Sequence, residues 1–240
     1  MRKLALLLIA AASAGASFTA SADLPNDHRR FAWFDFYGEA NDQIGLPKEG
    51  ERRVVFMGNS ITQNWASMRP EFFSANGYIG RGIGGQTSYQ YLLRFREDVV
   101  NLRPEIVVIN FGTNDIAENT GAYDEDITFG NLQSMVEIAR ANGIDVILTS
   151  CLPSRSMYWN PNATDSMKKI RSLNARTKAY AEANGYPYVD YFTPLLATDG
   201  EGMSADFSKD GVHPEVPGYE IMENLVIKAI DSVKNKNNKK

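Results

Sequence analysis

From about Arg53 onward, short apolar runs alternate with amphipathic stretches. The runs are Val54–Met57, Ile106–Asn110, Asp145–Thr149 and Tyr188–Asp190, with a weaker one at Tyr78–Ile79. Ile106-Val107-Val108-Ile109 is apolar at every position, so an extended segment there needs cover on both faces. Between the runs, Tyr89, Leu92, Leu93, Val99 and Val100 recur at three- and four-residue spacing, interrupted by Arg96. That spacing predicts a helix with those residues turned inward. Leu132, Met135, Val136 and Ala139 follow the same rule ahead of Asn142-Gly143, a plausible helix stop. The segments Asp165–Asn184 and Pro217–Val233 predict two further helices, the second with proline in its first turn. Strands alternating with helices predict a βαβ series and an open parallel sheet in a three-layer α/β/α sandwich.

The two ends read differently. Arg2 and Lys3 precede an apolar stretch from Leu4 to about Ala14, followed by Ala20-Ser21-Ala22. This is the pattern of a secretory signal, residues 1–22, with cleavage expected after Ala22. The apolar stretch is too short to span a bilayer comfortably. Residues 23–50 form an N-terminal arm rich in aromatics (Phe31, Trp33, Phe34, Phe36, Tyr37), expected to pack on the domain or to wall its cleft. Residues 51–233 make one domain, and residues 234–240 are expected to be a basic, frayed tail.

Cleavage leaves 218 of the 240 residues, enough for a single full core. It also removes two positive charges and shifts the formal net charge from −4 to −6. A mildly acidic exported chain is poorly suited to nucleic acid or to stable membrane association. Cys151 is the only cysteine, which excludes an internal disulfide and a cysteine-based metal site. It follows an apolar run and is expected to be a buried thiol.

Candidate chemistry sits at the predicted strand ends. The sequence holds two histidines, and one lies in Asp210-Gly211-Val212-His213-Pro214. Three-residue spacing lets the Asp210 carboxylate reach the imidazole Nδ1, which leaves Nε2 free as a base. Ser60 ends the run Val54–Met57 through Gly58-Asn59, where a strand turns into a helix. A serine there is equally suited to be a helix N-cap or a nucleophile beside backbone N–H groups. Arg81-Gly82-Ile83-Gly84-Gly85-Gln86-Thr87 is a glycine turn without the Gly-Lys-Ser/Thr ending of a phosphate loop; Gly82 and Gly84 fit the first two glycines of a dinucleotide fingerprint, but Thr87 stands where the third should be. Asn110-Phe111-Gly112-Thr113-Asn114-Asp115 ends the most apolar strand. An Asn amide there suits an oxyanion, and Asp115 suits a loop-holding role.

Taken together, these blocks resemble the SGNH, or GDSL-type, hydrolases. The matching residues are Gly58-Asn59-Ser60, Gly85 in Gly84-Gly85-Gln86, Gly112-Thr113-Asn114-Asp115, and Asp210-Gly211-Val212-His213, over roughly Arg53 to Leu225. The resemblance implies a flavodoxin-like fold with five central parallel strands. It implies Ser60 as nucleophile, His213 as base and Asp210 as its partner. It also implies an oxyanion hole made of the Ser60 and Gly85 N–H groups and the Asn114 amide. Position 59 departs from the family, which usually has Asp where this chain has Asn. No metal or organic cofactor is implied. Export, the absence of a long apolar lid segment, and the aromatic and polar residues Arg155, Tyr158 and Trp159, with Trp65 nearer the serine, favour short acyl esters on carbohydrate. The alternatives are a lysophospholipase or thioesterase of the same family, or a carbohydrate-binding protein without turnover.

Overall fold

The computed structural model describes residues 28–238. The expected signal, residues 1–22, lies outside them, as do Lys239 and Lys240. Two short helices come first, α1 (His28–Ala32) and α2 (Gly38–Ile44), joined through a 3-10 turn at Phe34–Phe36. The domain then runs β1 (Val54–Gly58), α3 (Ser60–Met68), α4 (Pro70–Asn76), β2 (Tyr78–Gly82), α5 (Ser88–Asp98) and β3 (Ile106–Ile109). It continues with α6 (Thr113–Ile116), α7 (Glu125–Ala141), β4 (Asp145–Thr149), α8 (Ser166–Asn184), β5 (Tyr188–Val189), α9 (Phe192–Leu195) and α10 (Val216–Asn237).

The five strands form one parallel sheet in the order β2-β1-β3-β4-β5. Its strands read as near-continuous apolar runs because both faces are covered. Side chains alternate across the sheet plane. Val55, Met57, Val107 and Ile109 point to one core with Tyr91 and Phe95 of α5, Leu132, Met135 and Val136 of α7, and Ile170 and Leu173 of α8. Val54, Phe56, Ile106 and Val108 point to the other with Ile61 and Trp65 of α3, Phe72 and Phe73 of α4, and Tyr219, Met222, Val226 and Ile230 of α10. The three-layer sandwich and five-stranded parallel sheet are therefore as the pattern predicts.

Three local expectations need correction. In α5 the expected stripe of Tyr89, Leu92, Leu93, Val99 and Val100 holds only in part: Val99 and Val100 are buried and Leu92 packs half-buried on the core, but the buried face of the helix is Tyr91, Arg94, Phe95 and Asp98, and Leu93 is 50% exposed. The reason is a buried ion pair. Arg94 is fully buried and donates to Asp98 at 2.7 Å, so two charged residues occupy the inward face. The second correction is the tail. Lys234–Asn237 complete α10, and the end of that helix is docked: Arg52 donates to the Lys234 carbonyl, and Asn237 donates to Glu105 and Asp145. Third, β2 is a full strand through Gly82 that the sequence pattern marks only at its first two residues.

From His28 on, the N-terminal arm is folded onto the domain. The Tyr37 hydroxyl donates to the Gly82 carbonyl, Gln86 to the Ala32 carbonyl, and Gln90 to the Phe31 carbonyl. The arm thus lies behind the loop that follows β2.

Candidate active site

Ser60 is the first residue of α3, and Asn59 is its N-cap, accepting from the Ile61 N–H at 2.9 Å. Ser60 is therefore not the cap. The first N–H groups of a helix have no intrahelical acceptor, so the Ser60 N–H belongs to the unpaired set. Asn59 makes with an amide oxygen the cap that a carboxylate would make, and at 1% exposure it does so without burying a charge. Gly82 lets the neighbouring strand close on this turn. A Cβ there would lie 2.3 Å from the Gln63 nitrogen and 2.5 Å from the Asn59 oxygen.

Ser60 Oγ lies 2.8 Å from His213 Nε2, and His213 Nδ1 lies 2.7 Å from Asp210 Oδ2. The other carboxylate oxygen of Asp210 accepts from the backbone N–H of His213 at 2.8 Å and of Val212 at 2.9 Å, and from the Ser208 hydroxyl. Partial burial works against ionising Asp210, but the His213 N–H, its imidazole and the Val212 N–H outweigh it and hold the carboxyl at about 2. An ionised carboxylate can only accept, so the imidazole proton resides on Nδ1. Nε2 then presents its lone pair to Ser60 Oγ.

The loop after β2 brings Gly85 to the same edge, with φ of +76°, a backbone conformation that glycine adopts freely. The loop after β3 brings Asn114, whose Nδ2 donates to the Gln86 carbonyl at 2.9 Å. An amide carries two N–H donors, so one remains for a ligand. Asp115 ties these loops together, accepting from the Ser88 N–H at 3.0 and 3.1 Å and from its hydroxyl. Burial pushes its carboxyl up, against those bonds.

The expected substrate residues separate. Trp65 is 2% exposed, stacked between Phe72 and Tyr219, with Nε1 donating to Glu223. It is core, not cleft. Five residues along a helix turn the side chain about 140° away from Ser60. Arg155 pairs with exposed Asp199. Tyr158 and Trp159 are 60% and 37% exposed and meet edge to face at 4.9 Å. Trp159 Nε1 donates to Asn119 Oδ1 at 2.8 Å, and Asn119 Nδ2 donates to the Gly85 carbonyl at 2.9 Å. The aromatic pair therefore stands two hydrogen bonds from Gly85. Sequence reasoning missed Asn119, which has no motif or spacing to mark it. Cys151 is buried, and burial pushes its thiol up to about 12. Among the described residues no group of three or more His, Cys, Asp or Glu gathers as a metal site.

Beyond one end of the parallel sheet, Ser60 from the turn after β1 meets His213 and Asp210 from the connection between α9 and α10. Residues 56–221 match the GDSL-like lipase/acylhydrolase family. The chain belongs to that family and is a carboxylic ester hydrolase. A GDSL-like lipase from Bacteroides thetaiotaomicron is 55% identical, with a TM-score of 0.83, covering 84% of this chain and 98% of that one. The lipoprotein YqeF of Bacillus subtilis is 38% identical over 194 residues, covering 68% of this chain and 79% of that one. An acetylxylan esterase of Xylanibacter ruminicola is 23% identical over 82% of this chain, which spans 48% of that longer protein.

Proposed function

We propose that the protein is an exported serine esterase that removes short acyl groups, acetyl foremost, from carbohydrate. The observation that carries this reading is the continuous relay of Ser60 Oγ, His213 and Asp210, with contacts of 2.8 and 2.7 Å. In the proposed cycle Ser60 Oγ attacks the ester carbonyl carbon as His213 Nε2 takes its proton. The carbonyl oxygen, now negative, is held by the Ser60 and Gly85 N–H groups and the free N–H of Asn114. The C–O bond to the alcohol breaks as His213 returns the proton to the leaving oxygen. Water then attacks the acyl-serine with His213 again as base, which releases the acid and restores Ser60.

Support for the substrate class is of two kinds. Tyr158 and Trp159 offer exposed aromatic faces beside the Gly85 loop, with a polar edge at Asn119. Aromatic faces with neighbouring polar groups suit a sugar ring. The acetylxylan esterase relative adds to this. Residues 1–22 as a secretory signal, with the domain following the arm, complete the reading, and the lipoprotein relative favours an envelope or extracellular setting.

The test is hydrolysis of p-nitrophenyl esters from acetyl to octanoyl, with Ser60→Ala alongside. A steep fall beyond acetyl or propionyl, abolished in Ser60→Ala, is expected. A maximum at longer chains would sink the sugar-acetate reading and favour a lipid or thioester substrate. No serine-dependent turnover of any ester would leave only carbohydrate binding.

A further inference from the structure

Gln86 is 2% exposed, and its backbone oxygen and both ends of its amide are engaged. Its Oε1 accepts from Arg94 Nε, its Nε2 donates to the Ala32 carbonyl at 2.9 Å, and its backbone oxygen accepts from Asn114 Nδ2 at 2.9 Å. Arg94 extends the connection. It donates to the Gly58 carbonyl at 3.0 Å, two residues before Ser60, and to the Arg81 carbonyl at 3.1 Å, just before the β2 loop. The Gln86–Arg94 side-chain pair thus ties the end of β1 to β2 and its loop, and the Gln86 backbone oxygen carries the tie on to the loop after β3.

We propose that Gln86 is a positioning residue for the oxyanion donors, and that the N-terminal arm at Ala32 is its outer support. The inference rests on the reading of Ser60, Gly85 and Asn114 given above. Donors to an oxyanion work because they are fixed before the charge forms. The Asn114 amide is aimed by the Gln86 carbonyl, and Gly85 is the residue bonded to Gln86. The Gln86 side chain is in turn clamped between a fully buried guanidinium and a backbone carbonyl of the arm. Without the amide, Arg94 Nε and the Ala32 carbonyl both lose a partner inside the fold, and the loop relaxes toward whatever re-pairs them. The arm therefore contributes to turnover without touching substrate. Further bonds of the arm fall on β2 and α5, which flank that loop: Tyr37 donates to the Gly82 carbonyl, Gln90 to the Phe31 carbonyl, Arg81 to Asn41, and Asn41 to Asp98.

The test uses Gln86→Met, close in length but without the amide, and Gln86→Glu, which keeps an acceptor for Arg94 but has no N–H for Ala32. The readouts are kcat and KM on p-nitrophenyl acetate, circular dichroism, and the inhibition constant of a phenylboronic acid, whose tetrahedral adduct on serine requires the same donors. A loss of about 10- to 100-fold in kcat is expected for Gln86→Met, with KM within about twofold, since displaced donors act on the transition state. Boronate binding weakens by a similar factor. Gln86→Glu is expected to lose about 3- to 10-fold, because only the tie to the arm is broken. A folded Gln86→Met with kcat within about twofold of wild type, or with its loss confined to KM, overturns the proposal. Where Gln86→Met fails to fold, Gln86→Glu decides, and unchanged kcat and boronate binding overturn it. Ser60→Ala runs beside both. Turnover surviving in Ser60→Ala sinks the proposed function, whereas turnover lost there but intact in the Gln86 variants sinks only this inference.

Discussion

Replacing Asp210 with Asn tests the site where its geometry is most explicit. One oxygen of Asp210 takes the His213 Nδ1 proton at 2.7 Å, and the other accepts from the backbone N–H groups of Val212 and His213 and from the Ser208 hydroxyl. An amide has one oxygen to offer. Three donors already converge on the second site, so the amide oxygen stays there and the NH2 turns to Nδ1. Two donors then face each other. The imidazole relieves the conflict by moving its proton to Nε2, where it points at Ser60 Oγ. The serine loses its base, and a wrong tautomer of this kind costs on the order of 10⁴ in kcat, or about 5.5 kcal/mol. The stability effect is far smaller. Asp210 ionises at about 2, below its ordinary 3.8. A lowered carboxyl adds stability above the unfolded-state value, and that stability is lost as pH falls from about 4 toward 2. The side chain is 36% exposed. Discounted for solvent screening, the contribution is about 1 kcal/mol at neutral pH. The assays are kcat on p-nitrophenyl acetate, urea midpoints at pH 7 and pH 3, and ¹⁵N shifts of the His213 ring. A kcat loss under about tenfold, in a variant whose ring proton has moved to Nε2, would refute the tautomer argument.

Three further outcomes are expected. Gly82→Ala puts a methyl against the backbone of Asn59 and Gln63, which cannot yield without moving Ser60. It should cost about 1–3 kcal/mol in urea denaturation and tenfold or more in kcat, and unchanged kcat would argue against that coupling. Trp65→Ala should lower stability by about 3–5 kcal/mol and reduce kcat with little change in KM, whereas Trp159→Ala should leave the melting temperature alone and raise KM for an acetylated oligosaccharide. Cys151, with its thiol pushed up to about 12, should resist iodoacetamide at pH 8 in the native protein and react fully in urea; rapid native labelling would contradict its burial.

How far the sequence carries depends on whether a signal is local. The strands β1, β3 and β4 announce themselves because a covered parallel strand reads as a near-continuous apolar run. His213 stands out because histidine is scarce and Asp210 is one turn away. The inward face of α5 is hidden, because Arg94 and Asp98 qualify as core only once Gln86 and the Gly58 and Arg81 carbonyls surround the guanidinium. No spacing rule describes partners that arrive from the end of β1, from β2 and from the loop after it. Asn119 is hidden for the same reason, since its bonds to Gly85 and Trp159 cross 34 and 40 residues. Trp65 misleads because nearness in sequence to Ser60 places it on the same helix but not on the same face.

The strand order explains why the pieces meet. β1 lies between β2 and β3, so the loops after all three open at one edge, at the point where the connections change sides of the sheet. That accounts for Ser60, Gly85 and Asn114, but not for His213, which enters from 153 residues away. Its approach is set by α10, the helix that its loop leads into. The Tyr219 hydroxyl of α10 donates to the Ile61 carbonyl at 2.8 Å, its ring stacks on Trp65, and Glu223 accepts from Trp65 and Arg69. This seam fixes α10 against α3 directly below Ser60. The distance between Ser60 and His213 is therefore governed by packing in the core, and Trp65 bears on turnover by holding two helices in register and never through contact with the ester.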